Sequence, residues 1–245
     1  MKTSSRRRVL ISSVAMLLVA MLALGTATFA WFTSSTVATA NGINVRTSKA
    51  SKLEISKDDL AWGTLVDYEV DNKLLLPTTS ANGTAWFKAD AAAATASTLK
   101  AGTIASVTDT GSYVVKNQLN VHNAGEAAVE NVTIEFSVPN DYLRVALVPA
   151  VTGGPTAANQ GTFAECVYDA DGVAYDALTS TAGGVQNITP KTTYKIDLGT
   201  LESEDVVYYN LYVWFEGQDE DCYDATAGQV VSDIEFTVTG DTVVS

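Results

Sequence analysis

Few residues in this chain of 245 amino acids could do catalytic chemistry. The one histidine, His122, falls on the polar side of the alternating stretch YVVKNQLNVHN, with lysine and amide residues beside it. That position is typical of a solvated strand histidine, and no Ser-His-Asp set can be assembled around it with any specificity. The sequence also lacks the HExxH zinc motif, the GxSxG nucleophile motif and a glycine-rich phosphate loop. We therefore predict no catalytic residues and a protein that is not an enzyme.

Acidic side chains are concentrated in one short stretch, EGQDEDCYD, at 216–224. Calcium prefers oxygen ligands, so Asp219, Asp221 and Asp224 are the candidate residues for binding Ca²⁺. The alternative is a polar loop that joins two strands. One histidine and two cysteines that are not clustered do not match zinc-site spacing. We predict no metal centre and no cofactor, with Ca²⁺ at this loop kept as a hypothesis.

The N-terminus has the three parts of a secretory signal peptide. Basic residues, Lys2 and Arg6 to Arg8, precede an uncharged apolar run from Val9 to Phe32. The small residues Thr28 and Ala30 predict cleavage after Ala30, which makes Trp31 the first mature residue. The alternative is an uncleaved anchor, because the apolar run is long enough to span a bilayer. We expect a signal peptide at 1–30, an N-terminal strand or linker at 31–50 and one domain at 51–245.

The charge balance excludes some partners. The chain has 15 basic and 28 acidic residues and a net charge of −13. Cleavage after Ala30 would remove four basic residues and no acidic one, and the net charge would become −17. Such a surface repels phosphate groups, so nucleic acid is not an expected partner.

The two cysteines, Cys166 and Cys222, are 56 positions apart. In an exported chain an even number of cysteines favours a disulfide, and we predict that these two residues form one. The alternative is two buried thiols.

Most of the chain after residue 50 alternates between apolar and polar residues, which is the period of a half-buried β-strand. The run VVYYNLYVWFEG (206–217) is instead apolar or aromatic on both faces, and it predicts a central strand whose second face is covered. The stretch HNAGEAA (122–128) between two alternating runs predicts a hairpin. Many short antiparallel strands predict an all-β fold, a single β-sandwich of jelly-roll type. The predicted inward residues are Leu53, Ile55, Val132, Ile134, Phe136, Val138, Tyr194, Ile196, Leu198, Ile234, Phe236 and Val238.

The segment LGTATFAWFTSSTVATANG (24–42) resembles the leader of the TasA/camelysin group of exported proteins from Gram-positive bacteria. The stretch YVWFEGQDEDC (212–222) is similar to a block in clostridial-type secreted proteins with this leader. The resemblance implies a dedicated signal peptidase, a jelly-roll β-sandwich, and a place on the cell surface, in the biofilm matrix or in the spore coat. It does not carry over the metalloprotease activity described for some camelysin relatives, because zinc-binding spacing is missing here.

The resemblance also implies how copies of the chain would assemble. In TasA-type filaments the mature N-terminal segment adds as a strand to the next subunit, and main-chain hydrogen bonds give this mode its affinity. The matching positions are Trp31, Phe32, Val37, Ile43 and Val45. The expected partners are the protein itself, the signal peptidase and other matrix or cell-surface proteins. The alternatives are an adhesin-like module that binds glycan or a host surface, through aromatics such as Trp62 or Trp86-Phe87, and a membrane-anchored ectodomain.

Overall fold

The computed structural model describes residues 43–48, 52–68, 75–89, 104–154, 157–179, 184–219, 222, 231 and 234–242. All of them belong to one compact unit, Ala40–Ser245. Within these ranges there is no α-helix, and two short 3₁₀ turns occur at Thr110–Ser112 and Phe163–Cys166. No helix in the described part of the chain is long and apolar enough to cross a membrane.

The described residues form fourteen strands, consistent with the predicted all-β class. In chain order they are β1 Ile43–Ser48, β2 Leu53–Ser56, β3 Leu65–Asp67, β4 Phe87–Ala89, β5 Ile104–Ser106, β6 Val114–Asn123, β7 Val129–Phe136, β8 Leu143–Pro149, β9 Val167–Tyr168, β10 Tyr175–Leu178, β11 Val185–Ile188, β12 Lys195–Leu201, β13 Val206–Phe215 and β14 Ile234–Thr242.

Ten of these strands form two five-stranded sheets. Sheet 1 has the order β12-β7-β14-β1-β3, and sheet 2 has the order β2-β6-β13-β8-β9. The strands β4 with β5, and β10 with β11, form two small hairpin sheets. All strand pairs are antiparallel except β1 with β14, which run parallel.

The inner faces of the two sheets share one hydrophobic core. Alternation along the strands builds it, because every second side chain of a strand points to the same face. On β7 the predicted row Val132, Ile134 and Phe136 is buried, and on β14 so is the row Ile234, Phe236 and Val238. The row on β12 is only partly buried and packs against the rim of this core. The predicted inward positions are therefore confirmed on β2, β7 and β14, whereas Tyr194, Ile196 and Leu198 are only partly buried.

From Leu211 to Phe215 the central strand β13 is buried on both faces, which the sequence predicts for the whole strand. Leu211, Val213 and Phe215 point into the core between the sheets. On the opposite face, Tyr212 and Trp214 belong to a second cluster with Trp86 and other residues from the loops and hairpins of the same chain. The cover is thus part of the same chain.

The predicted hairpin at HNAGEAA is wrong. β6, which precedes this stretch, pairs with β2 and β13 in sheet 2, whereas β7, which follows it, pairs with β12 and β14 in sheet 1. The stretch therefore carries the chain from one sheet to the other. It is held there by Asn123, whose side-chain amide donates to the carbonyls of Ala127, Leu201 and Glu202.

The predicted disulfide is also wrong, because Cys166 and Cys222 are unbridged in the structure. Cys222 is buried in the core between the sheets, while Cys166 packs at the margin of the second cluster on the outer side of sheet 2. The two thiols thus pack in different clusters, and a disulfide needs Cβ atoms about 4 Å apart.

Candidate functional site

The N-terminal strand β1 is inserted inside sheet 1 rather than at its edge. It runs parallel to β14 on one side and antiparallel to β3 on the other. The register pairs Ile43 with Ile234 and Val45 with Phe236. Both partners on β14 are buried in the core, and Phe236 is fully inaccessible to solvent. β1 therefore pairs with a strand whose side chains form part of the hydrophobic core.

The neighbours of β1 depend on it for their own pairing. β3 has only three residues and is the last strand of the sheet, so β1 is its one partner there. β14 pairs with β7 on its other side. Without β1, the sheet would lose β3 and would expose one full backbone edge of β14. Unpaired strand edges of this kind readily accept another strand.

The other outer strands of the two sheets are poor templates for an added strand. β12 is long, but its ladder is irregular between Asp197 and Leu201, where Gly199 has a positive φ of 72°. The outer side of β2 is partly paired, because Gly63 in the loop after it exchanges two backbone hydrogen bonds with Ile55. β9 has two residues and is flanked by Lys191. Irregularities, short strands and covering loops are common protections of an edge.

The structure brings together only part of the residues predicted for strand donation. Ile43 and Val45 lie in β1, within their own sheet. Trp31, Phe32 and Val37 lie outside the described residues, and so do Thr28 and Ala30 at the predicted cleavage site. The position of β1 in sheet 1 is therefore described, and the segment before it lies outside the described residues.

A buried charged cluster lies on the outer side of sheet 2, at one end of β8 and β13. Arg144, which is 1% exposed, is its centre. Its Nη2 atom lies 2.8 Å from Oδ2 of Asp219 and 3.2 Å from Oδ2 of Asp169, and its Nη1 donates to the carbonyl of Asp141. The guanidinium stacks on the ring of Tyr175, with 5.5 Å between its Cζ and the ring centroid.

A third carboxylate, Glu216, completes the cluster and is fully buried. It accepts hydrogen bonds from the indole of Trp214 and from the backbone N–H of Gln218. Burial raises the pKa of Glu216 to about 7 and the pKa of Asp169 to about 6, because a charged carboxylate is poorly solvated there. Burial also disfavours the charged guanidinium, but Asp169, Glu216 and Asp219 outweigh it and raise the pKa of Arg144.

The calcium candidates are only partly described. The carboxylate of Asp219 accepts a hydrogen bond from Arg144. Asp221 and Asp224 lie outside the described residues. Among the residues that the structure describes, no group of three His, Cys, Asp or Glu side chains is arranged to hold a metal ion.

The predicted position of His122 on the outer face of its strand is correct, but the side chain is not freely solvated. It is 16% exposed and stacks on the ring of Trp62, with 5.1 Å between the centroids. Its Nδ1 lies 3.8 Å from Glu54 and its Nε2 lies 3.5 Å from Glu204.

The charged cluster around Arg144 was not predicted from the sequence. The available signal was an arginine inside the apolar run LRVALVP, which becomes β8. A charge at a position flanked by buried residues must find counter-ions inside the protein, because burying an unpaired charge is costly. The acidic stretches at 169–172 and 216–224 were the sources of those counter-ions.

Comparison with known proteins found no match: no family model, no curated protein and no solved structure is significantly similar to this chain.

Proposed function

We propose that this chain is a non-enzymatic structural protein of the bacterial cell surface or matrix, a jelly-roll β-sandwich that assembles with copies of itself through its N-terminal strand. The observation that supports the proposal is the position of β1, a parallel strand inserted between β14 and β3. A strand at this position adds a six-residue ladder with β14 and a three-residue ladder with β3 to whichever sheet receives it.

The position between β14 and β3 can be filled in two ways. In the monomer, β1 fills it within its own chain. In the assembly, the β1 of a neighbouring copy fills it, and residues 31–42 extend the donated strand from its N-terminal side. Backbone hydrogen bonds provide affinity for such an added strand, and the alternate side chains provide specificity.

The length of the connection limits how far apart the copies can lie. Four residues separate Ser48 at the end of β1 from Leu53 at the start of β2. A fully extended chain spans about 3.4 Å per residue, so the donated strand reaches about 17 Å from its own domain. Neighbouring domains must therefore touch. Because the donor and the acceptor are different surfaces, the contact is head to tail and gives an open fibre.

Export is the other part of the proposal. Cleavage after Ala30 would release an acidic mature chain with a free N-terminal segment. Before cleavage, the apolar run would hold that segment in the membrane and keep it from pairing. If the purified native protein begins at Met1 and partitions with lipid, it is an anchored ectodomain instead.

The adhesin alternative has less support. Two of the three aromatics that could contact a glycan, Trp86 and Phe87, are 2% and 8% exposed. Trp62 is partly exposed but is stacked on His122. The burial of these aromatic side chains therefore favours a structural role over glycan binding.

Truncation combined with peptide complementation tests the proposal. A protein of residues 31–245 should form fibres, visible by electron microscopy and by concentration-dependent light scattering. A protein of residues 49–245 should form none by itself and should bind a synthetic peptide of residues 31–48. The control peptide carries Val45→Pro, which removes a backbone donor from the middle of a paired strand and should not bind. Fibres formed equally well by the 49–245 protein would overturn the proposal.

A further inference from the structure

The outer face of sheet 2 is covered by loops at one end only. Beyond the aromatic cluster at Trp214 it presents polar residues, which face each other in pairs across β6 and β13. These pairs are Lys116 with Tyr212, Gln118 with Asn210, and Asn120 with Tyr208. The face is therefore rich in amides and aromatic rings, the groups that proteins use to orient small polar ligands.

A pocket of about 180 Å³ opens on this face. Its floor is formed by Gln118, Asn210 and Tyr212, all of them buried. Gln118 Nε2 donates to Asn210 Oδ1 at 3.1 Å, and Gln118 Oε1 accepts from the backbone N–H of Gly154. Asn210 Nδ2 in turn donates to Asn159 Oδ1 at 2.7 Å. These amides are held by the protein itself, so the floor is preformed and rigid.

The wall of the pocket carries cations. The Nζ atom of Lys116 lies 5.8 Å from the ring centroid of Trp86 and 5.7 Å from that of Tyr212. Among the described residues, no carboxylate lies within ion-pair distance of this amine. Burial lowers the pKa of Lys116, because part of its solvation is lost. Cation–π contact positions the ammonium group and leaves its N–H donors available.

Other groups on the wall add to this donor set. Lys57 contributes a second amine, which also donates to the carbonyl of Asp67. Thr84 lines the pocket too, and its side chain makes no hydrogen bond to another described residue. Together with the floor, the lining offers two amines, the amides of Gln118 and Asn210 and the hydroxyls of Thr84 and Tyr212, and none of its residues is acidic.

This charge pattern opposes that of the molecule as a whole. The chain has 28 acidic and 15 basic residues. A larger depression on the outer face of sheet 1 follows the general trend and is lined by Glu135, Asp197 and Asp241 with a single lysine, Lys195. A local excess of positive charge in an acidic protein concentrates the field on a small anion and keeps large polyanions away.

We propose that this pocket binds a small ligand through its carboxylate group, with Lys116 as the charged partner and the Thr84 hydroxyl as a hydrogen-bond donor. Hydrogen bonds between an ammonium and a carboxylate are among the stronger ones in proteins. The volume is smaller than that of drug-sized sites, which measure about 300 to 1,000 Å³. It suits one sugar or one amino-acid residue. The carboxylate could belong to a hexuronate or to an acidic amino-acid residue.

Ligand titration followed by NMR tests the proposal on the 31–245 protein. The probes are D-glucuronate and N-acetyl-glutamate methylamide, which each carry one carboxylate, and D-glucose, which carries none. We expect saturable shifts of backbone signals at 116–118 and 210–212 with a carboxylate probe and none with glucose. Lys116→Met should weaken binding by about tenfold or more, because a hydrogen bond to a charged group is lost. Lys116→Arg, which keeps the charge, should retain it.

The matched control is Lys88→Met. Lys88 also lies over an aromatic ring, that of Tyr113 at 5.4 Å, but it does not line the pocket. This variant should bind as the parent protein does. Binding of glucuronate alone identifies a sugar acid as the ligand, and binding of the glutamate derivative alone identifies a peptide; both outcomes support the site. Absence of saturable binding by either carboxylate, equal binding of glucose, or full binding by the Lys116→Met protein would overturn the proposal. The titration is done at a protein concentration at which light scattering detects no fibres, so these outcomes are independent of the proposed assembly.

Discussion

The indole N–H of Trp214 donates a 3.0 Å hydrogen bond to Oε2 of Glu216, and neither side chain is accessible to solvent. Trp214 lies on the central strand of sheet 2, and Glu216 follows at the end of that strand, beside the guanidinium of Arg144. An ionisable group is thus fixed between the aromatic cluster and the buried charges. Its ionisation should influence the stability of the fold.

The first prediction concerns pH. The pKa of folded Glu216 is about 7, against an ordinary value of 4.5, and the pKa of Asp169 is shifted in the same direction. Between about pH 4.5 and pH 7, Glu216 keeps its proton in the folded protein and loses it in the unfolded chain. The free energy of unfolding should therefore fall as pH rises through this range. Glu216 alone should contribute on the order of 3 kcal/mol to this loss. Thermal unfolding at a series of pH values measures it.

The control for the pH prediction is a pair of substitutions. Glu216→Gln should flatten the dependence of Tm on pH, whatever it does to Tm itself. Glu135→Gln, at a carboxylate that is 52% exposed, should leave the slope as it is. An unchanged slope in the Glu216→Gln protein would show that this carboxylate does not carry the effect.

The second prediction compares two ion pairs. Arg144→Met removes the counter-ion of Asp169, Asp219 and Glu216 in the interior, and should cost about 3 to 5 kcal/mol of unfolding free energy. Lys195→Met breaks an exposed pair with Glu135 at 2.8 Å, and should lower the unfolding free energy far less than Arg144→Met does, since water and salt screen the pair. Denaturant unfolding measures both. Equal losses in the two variants would contradict the importance assigned to the buried cluster.

The third prediction compares two glycines. Gly83 and Gly154 both have positive φ, 71° and 101°, which side chains other than glycine's rarely adopt. An alanine Cβ at Gly83 would lie 2.6 Å from the ring of Phe163, whereas no atom of the other described residues lies within 4 Å of one at Gly154. Gly154→Ala should therefore cost only the backbone strain, about 1 to 2 kcal/mol.

Gly83→Ala should cost the same strain and about 1 to 3 kcal/mol more for overpacking. Chemical denaturation of the two variants gives the difference. If the Gly83→Ala protein is no less stable than the Gly154→Ala protein, the loop does not pack on the aromatic cluster in the way described.

Local pattern predicted most of the strands and the direction of their side chains. The rows Leu53 with Ile55 and Ile234 with Phe236 are buried as predicted, because a period of two follows directly from strand geometry. Local pattern could not predict which strands far apart in the sequence pair with each other. β1 pairs with β14, about 190 positions later, and no local feature of either strand indicates that register. For the same reason the crossing at HNAGEAA resembled a hairpin.

The site was predictable in part. The N-terminal segment was identified from its apolar run and its aromatic end, but its last part, Ile43 and Val45, turned out to be inside the sheet of its own chain. Which carboxylates surround Arg144 depends on how β8, β13 and the loops after β9 meet in space. The pocket at Lys116 likewise depends on the loop that brings Thr84 to the face of β6. Such juxtapositions of distant segments are set by the tertiary fold.

Cysteine cross-linking between copies tests the strand exchange most directly. Asn44 and Glu235 are register partners on β1 and β14, and Glu235 is exposed. In the 31–245 protein with both native cysteines changed to serine, one batch carries Asn44→Cys and another Glu235→Cys. Fibres grown from the mixture and then oxidised should give a covalent dimer on a non-reducing gel, because exchange brings the β1 of one copy beside the β14 of another. Mixing Asn44→Cys with the out-of-register Thr239→Cys should give much less. The control protein carries Asn44→Cys and Glu235→Cys in one chain, and it should form the disulfide within that chain. If the control forms its disulfide but the mixed fibres give no covalent dimer, strand exchange is contradicted.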